Sequence, residues 1–262
     1  MDIKELLGSK DEMPLDRLLE GSGFVNIFPT IACIGDSLSS GEFQLKKADG
    51  TNAYFDFYEY SWGKQIEKIT GSRVHVFAQG GMTAKCYREE FANKRGFYKR
   101  ELAANAYIIA LGVNDLLNRG LPLGDFSDIC YEDCRNNADT YIGNYAYIIQ
   151  RYKQIQPDAK FFLVTIPRSS DRGEERLKKT EAMREAILGL AEKFDNTYVI
   201  DLFKYAPDYN AEFREKFFLD GHMNPMGYLL TARMFISYID YIIKHNMRDF
   251  FEVGLMGVDR YL

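Results

Sequence analysis

Thr30-Ile31-Ala32-Cys33-Ile34-Gly35-Asp36-Ser37-Leu38-Ser39 is the stretch whose reading decides the fold. Residues 30–34 are mostly apolar and read as a buried strand, and Gly35-Asp36-Ser37 reads as the turn that ends it. Glycine reaches backbone angles closed to other residues, and an aspartate side chain hydrogen-bonds nearby backbone to hold a turn. A serine just past the carboxyl end of a central strand stands where open α/β sheets place their ligands. Serine also occurs in turns for local hydrogen bonding alone. The rest of the chain decides between the two roles.

Moving outward, further apolar runs predict strands over residues 74–78, 107–111, 161–166 and 198–202. Helical stretches fall between them. One covers about 61–70 and stops at Gly71, a good residue just past a helix end. Others cover about 139–155 and 174–194, and a last one runs from Asn224 as N-cap and Pro225 as first helical residue to about 244. Strands alternating with helices imply βαβ units, hence an α/β protein with a five-stranded parallel sheet and helices on both faces, a three-layer α/β/α sandwich. With no repeat, low-complexity tract or linker, the expectation is a single domain over 1–262. Residues 1–28 are an amphipathic N-terminal extension packed on it (Leu6, Leu7, Leu15, Leu18, Leu19, broken by Pro14 and Gly21-Ser22-Gly23). The aromatic run Tyr54-Phe55-Asp56-Phe57-Tyr58-Glu59-Tyr60 reads either as packing of a long loop or as lining for an acyl or sugar site near the serine.

Composition narrows the functional classes. The 262 residues are 46% apolar and 27% charged, ordinary for a soluble globular chain, and the net charge of −5 gives no basic footprint for nucleic acid. Cys33, Cys86, Cys130 and Cys134 are too few for a disulfide scaffold and are read as reduced thiols, with cytoplasm as the expected compartment. Cys130 and Cys134 have a Cys-x3-Cys spacing, but no second pair or nearby histidine completes a zinc set. His75, His222 and His245 have no metal-ligand spacing, so neither metal nor cofactor is expected. The start Met1-Asp2-Ile3-Lys4-Glu5 has no apolar run of the kind a signal peptide needs, and no stretch has the length of a membrane span. A cloned mature form could have lost a leader.

Parallel strands put their carboxyl ends on one edge. Three of those ends carry polar and glycine-rich sequences: Gly35-Asp36-Ser37, Gly80-Gly81-Met82-Thr83 and Gly112-Val113-Asn114-Asp115. A fourth cluster, Asp220-Gly221-His222-Met223-Asn224, precedes the last helix. Together they offer a nucleophile, a base and oxyanion donors, the parts that acyl transfer requires.

These four blocks resemble those of the SGNH-type esterases and lipases, whose GDSL signature matches Gly35-Asp36-Ser37-Leu38. Gly81-Met82-Thr83 is similar to their glycine block, Gly112-Val113-Asn114-Asp115 to their Gly-x-Asn-Asp block, and His222 to Gly227 to their histidine block. The blocks come in family order over residues 35–227. The resemblance implies the flavodoxin-like SGNH hydrolase fold and a serine ester hydrolase. Ser37 is then the nucleophile and His222 the base. The oxyanion donors are the backbone N–H groups of Ser37 and Gly81 and the amide of Asn114. Gly81 is preferred to Gly80 because the family's glycine stands two residues before a threonine, here Thr83. Asp36 and Asp115 are read as holding turns.

The family's acid stands three residues before the histidine, but that position is Leu219 here. The expectation is that Asp220, two residues before His222, serves as the acid, with Gly221 allowing the altered path. Otherwise the site is a Ser37–His222 dyad oriented by a backbone carbonyl. Gly35-Asp36-Ser37-Leu38-Ser39 lacks the Gly-x-Ser-x-Gly elbow of α/β-hydrolases, and no Gly-x-Gly-x-x-Gly or P-loop follows the first strand. The expected substrate is a small acyl ester, such as an O-acetyl group on carbohydrate, because no long apolar lid is visible. Lysophospholipase or thioesterase chemistry, and a catalytically silent binding module, are the alternatives.

Overall fold

The computed structural model describes residues 7–8 and 11–258. Five strands form the central parallel sheet: β1 (Thr30–Gly35), β4 (Arg73–Ala78), β5 (Ala106–Ala110), β6 (Lys160–Val164) and β7 (Thr197–Ile200). Their order is β4-β1-β5-β6-β7, the doubly wound 2-1-3-4-5 arrangement. Register is continuous across the middle, with Cys33 opposite Val76 on one side and Ile108 on the other.

The strands alternate between two cores, as a period-2 side-chain pattern dictates. Ile31, Cys33, Val74, Ile108 and Phe162 face helix α1 (Trp62–Thr70) and the last helix, α4 (Pro225–His245). Ala32, Ile34, Phe77, Ile109 and Leu163 face α2 (Tyr141–Ile155) and α3 (Glu174–Lys193). Helix boundaries follow local chemistry. Ser61 accepts from Lys64 N–H to start α1, and Gly71 ends it in the left-handed region. Asn224 caps α4 ahead of Pro225. The last two strands end two residues short of expectation because the polar groups beyond them turn inward: Thr165 Oγ1 donates to Asp201, and Asp201 caps a short helix at Leu202–Tyr205.

Within the described part of the N-terminal stretch, Leu15 and Leu19 pack against the α1/α4 core, and Val25 and Phe28 are fully buried in it. The backbone N–H groups of Leu19 and Phe24 donate to Ser237 and Asp240 of α4. Leu6 lies outside the described residues.

Two antiparallel pairs depart from the sequence expectation. The stretch after Ser40 forms a hairpin of β2 (Glu42–Lys46) and β3 (Asn52–Asp56), so the start of the aromatic run, Tyr54 to Asp56, is a strand rather than a loop. The segment before α4 folds as β8 (Phe218–Leu219) and β9 (His222–Met223) around a two-residue turn, Asp220-Gly221. Gly41 O accepts from Phe57 N–H and Glu42 O from the Tyr228 hydroxyl, which ties the first hairpin to α4.

Candidate active site

At the end of β1 the backbone enters a single helical turn, Ser37–Ser40. Asp36 caps it by accepting from Leu38 N–H at 3.1 Å. Asp36 is buried, and burial pushes its carboxyl up to about 7 against the opposing pull of that hydrogen bond. Ser37 stands half-buried at the first position of the turn, and among the described residues its hydroxyl makes no hydrogen bond.

The end of β4 supplies the two glycines. Gly81 has φ +70°, a backbone angle that favours glycine. At Gly80 a Cβ would meet Glu42 Oε2 at 2.0 Å, so a side chain there would push the Glu42 carboxylate out of its place. At the end of β5, the Tyr145 and Tyr141 hydroxyls of α2 donate to the carbonyls of Ile109 and Leu111, fixing the loop that follows. Asn114 Nδ2 donates to Met82 O at 3.0 Å and, with a longer contact of 3.4 Å, to Asp36. Asp115 is buried and accepts from Ala84 N–H at 2.9 Å, joining the β4 and β5 loops. Burial raises its carboxyl to about 6, and its other oxygen has no partner among the described residues.

The histidine is held from an unexpected direction. His222 Nε2 lies 2.9 Å from Glu42 Oε1, and Nδ1 lies 3.2 Å from Gln44 Oε1. Glu42 and Gln44 alternate along β2 and so share a face, where Tyr54 and Asp56 stand opposite them on β3. The Tyr54 ring meets the imidazole edge-on at 5.8 Å. Asp220, by contrast, sits in the β8–β9 turn at φ +54°, exposed and without a hydrogen bond or ion pair among the described residues. This corrects the expectation that Asp220 is the carboxylate at the ring. Gly221 does not swing Asp220 inward; the Asp-Gly pair makes a hairpin turn, as this dipeptide does between short strands.

The contacts fix the tautomer. Gly221 N–H donates to Gln44 Oε1 at 3.1 Å, so the amide oxygen faces the ring. Nδ1 must then carry a proton, and a neutral imidazole keeps its lone pair on Nε2. That lone pair faces Glu42, and a single proton between Nε2 and the carboxyl would join them at 2.9 Å. Burial pushes Glu42 up, with the Asp56 carboxylate adding to the rise. Burial also pushes His222 down, and Asp56 offsets part of that. Both shifts favour the neutral pair.

Ser37, Gly81, Asn114 and His222 all line one cavity of about 770 Å³, and Glu42 lines it too. It opens beside the point where strand order reverses between β1 and β5, the position where doubly wound sheets hold ligands. His75 is not among the residues lining this cavity and packs parallel to Phe77 within β4. The alternation Glu42-Phe43-Gln44-Leu45 was the available signal for Glu42 and Gln44, as a strand with two polar residues on one face.

The model of the GDSL-like lipase/acylhydrolase family matches residues 33–230. The chain belongs to that family. It is thereby an ester-bond hydrolase with the SGNH α/β fold. No curated protein matches it in sequence. Among solved structures it is similar to a family two carbohydrate esterase from Clostridium thermocellum in complex with cellohexaose, at 14% identity and TM-score 0.55, covering 89% of this chain and 66% of that one. A carbohydrate esterase family 2 enzyme with a carbohydrate binding domain from Corynascus thermopiles (Myceliophthora fergusii) matches at 17% identity and TM-score 0.56, covering 83% and 66%. This GDSL-family chain thus spans just under two thirds of either esterase. The psychrotrophic esterase EstA from Pseudoalteromonas sp., inhibited by monoethylphosphonate, matches at 14% identity and TM-score 0.53, covering 82% and 98%. At these identities the likeness is one of fold.

Proposed function

We propose that this protein is a serine esterase that removes small acyl groups through an acyl-enzyme intermediate, with O-acetyl groups on carbohydrate as the substrate class. One observation carries the reading: Ser37, Gly81, Asn114 and His222 border the same cavity at the sheet's carboxyl edge. Ser37 Oγ attacks the acyl carbonyl as Nε2 of His222 takes its proton. Nε2 exchanges its bond to Glu42 for one to the serine hydroxyl before attack. The oxyanion collects the N–H groups of Ser37 and Gly81 and the Asn114 amide, whose 3.4 Å contact with Asp36 is the one that yields. The protonated imidazole then delivers its proton to the leaving alcohol, and water repeats the cycle on the acyl-serine.

In a Ser-His-Asp triad one aspartate both holds the tautomer and steadies the imidazolium. In this site two residues of β2 divide those tasks. Gln44 holds Nδ1–H, and Glu42, having released its carboxyl proton to solvent as Nε2 turns to Ser37, lies ionised beside the positive ring. Tyr54, exposed on the hairpin and edge-on to His222, borders the histidine side of the site and suits stacking on a sugar ring. A panel of p-nitrophenyl esters from acetate to palmitate, with acetylated sugars beside it, tests the reading. Turnover should be fastest on acetate and fall along the series, with acetylated sugars cleaved. A preference for palmitate would favour a lipase or thioesterase. No turnover on any ester by folded protein would favour a binding module.

A further inference from the structure

The cavity is electrically divided. Its serine end carries Asp36, Glu42 and His222, while its far end carries Arg172, Arg176 and Arg214. Arg214 is fully engaged: Nη2 meets Asp171 at 2.7 Å, and Nη1 donates to Asp171 and Ser169, each at 3.1 Å, and to Tyr209 O. Asp171 is thus committed to Arg214. Arg172 closes the short helical turn after β6, and Arg176 lies in the first turn of α3. Among the described residues neither guanidinium has a carboxylate partner or a hydrogen-bond acceptor. Each presents five donors in a planar fork. Arg176 is half-buried, and burial, together with the charges of Arg172 and Arg214, holds it below the usual arginine value. Two unpaired guanidiniums set near each other, Arg172 exposed and Arg176 half-buried, repel until an anion arrives. In a chain of net charge −5 the cluster is not a general surface property.

We propose that Arg172 and Arg176 bind an anionic group, carboxylate or phosphate, on the alcohol part of the ester that Ser37 cleaves. The proposal rests on the esterase reading above and adds to it the charge of the substrate. Position assigns the anion to the alcohol. β6 lies two strands from β1, roughly 9–10 Å along the edge at ordinary strand spacing, beyond the reach of a small acyl group on Ser37. A guanidinium fork matches both oxyanion types bidentately, so the shared chemistry is the anion itself.

The test has one arm with turnover and one without. In the first, kcat/KM is compared for mono-O-acetyl glucuronate, mono-O-acetyl glucose 6-phosphate and mono-O-acetyl glucose. Phenyl hydrogen glutarate and its neutral amide analogue serve as probes with the charge on the acyl side. The anionic sugars should exceed acetyl glucose by tenfold or more, the glutarate pair should be equal, and the preference should shrink with added salt. In Arg172→Ala/Arg176→Ala the ratio should fall toward one. In the second arm, Ser37→Ala is titrated calorimetrically with glucuronate, glucose 6-phosphate and glucose, and should bind the anions at least tenfold tighter, unless both arginines are replaced. Equal turnover of charged and neutral sugar esters with equal binding would overturn the anion site and leave the esterase intact. A charge preference confined to the glutarate pair would also overturn it. Failure to cleave any ester, with tight anion binding by Ser37→Ala, would remove the esterase reading and keep the site.

Discussion

The site is built from two kinds of structure that hold their residues in opposite ways. The loops at the ends of β1, β4 and β5 are short and fastened to the central sheet by buried groups, such as Asp36 on Leu38 N–H and Asp115 on Ala84 N–H. The histidine instead hangs between two small hairpins at the cavity mouth, β2–β3 and β8–β9, and is fixed by side chains of β2. The nucleophile side is therefore set by backbone geometry, which tolerates little change. The base side is set by a few side-chain bonds that can be exchanged one at a time. Substitutions on the two sides should differ in what they cost.

The largest effect should come from the residue that links them. His222→Ala removes the base and should lower kcat on the order of 10⁶-fold, as loss of a serine hydrolase histidine does, with the fold unchanged by circular dichroism. A small loss would mean that another group accepts the serine proton.

Next come the two candidate acids. Glu42→Gln should cost roughly 10²–10⁴ in kcat because the imidazolium loses its carboxylate. Asp220→Asn should retain more than about a tenth of wild-type kcat, a loss under ~1.4 kcal/mol. The opposite ranking would restore Asp220 to the ring and make the β2 contacts incidental. On the backbone side, Asn114→Ala should lose about 10²–10³ in kcat with an almost unchanged Tm. A collapse in Tm with normal activity of the folded fraction would make it a turn residue only.

Smaller effects should appear as shifts with pH. His222 is held below the usual histidine value, so its neutral, basic form persists to lower pH. The acid limb of kcat/KM should therefore lie below ~6.5, the ordinary value. A limb above that value would mean that the carboxylates dominate the ring. Stability should move the other way. Asp36 at about 7 and Asp115 at about 6 keep protons in the folded state that an unfolded chain has already released. Between the unfolded value near 4 and those folded values the native state binds more protons, so stability falls as pH rises through that window. Tm should be higher at pH 5 than at pH 8, with the difference reduced in Asp115→Asn.

The same contrast explains what the sequence disclosed. The sheet and its end loops were legible because strand burial, strand-end glycines and helix caps are local signals. Ser37, Gly81 and Asn114 could be placed at one edge from them alone. Asp220 is near His222 in sequence, yet the partner at the ring stands 180 residues earlier. Glu42 reaches it only because β2 folds back over the β8–β9 turn, with Gln44 bonding Gly221 N–H. No local pattern reports such a long-range pairing. One local signal does bear on it: Asp-Gly between the short segments Phe218-Leu219 and His222-Met223 marks a turn and so removes Asp220 from the ring.

The account turns on one claim, that Ser37 is activated by a histidine held from β2. The direct measurement is the rate at which a fluorophosphonate modifies the protein, with the adduct located by peptide mass spectrometry. Wild type and Asp220→Asn should each gain one adduct on Ser37 at similar rates, Glu42→Gln should gain it at least tenfold more slowly, and Ser37→Ala should gain none. An adduct on another residue, or a rate that drops in Asp220→Asn but not in Glu42→Gln, would contradict it.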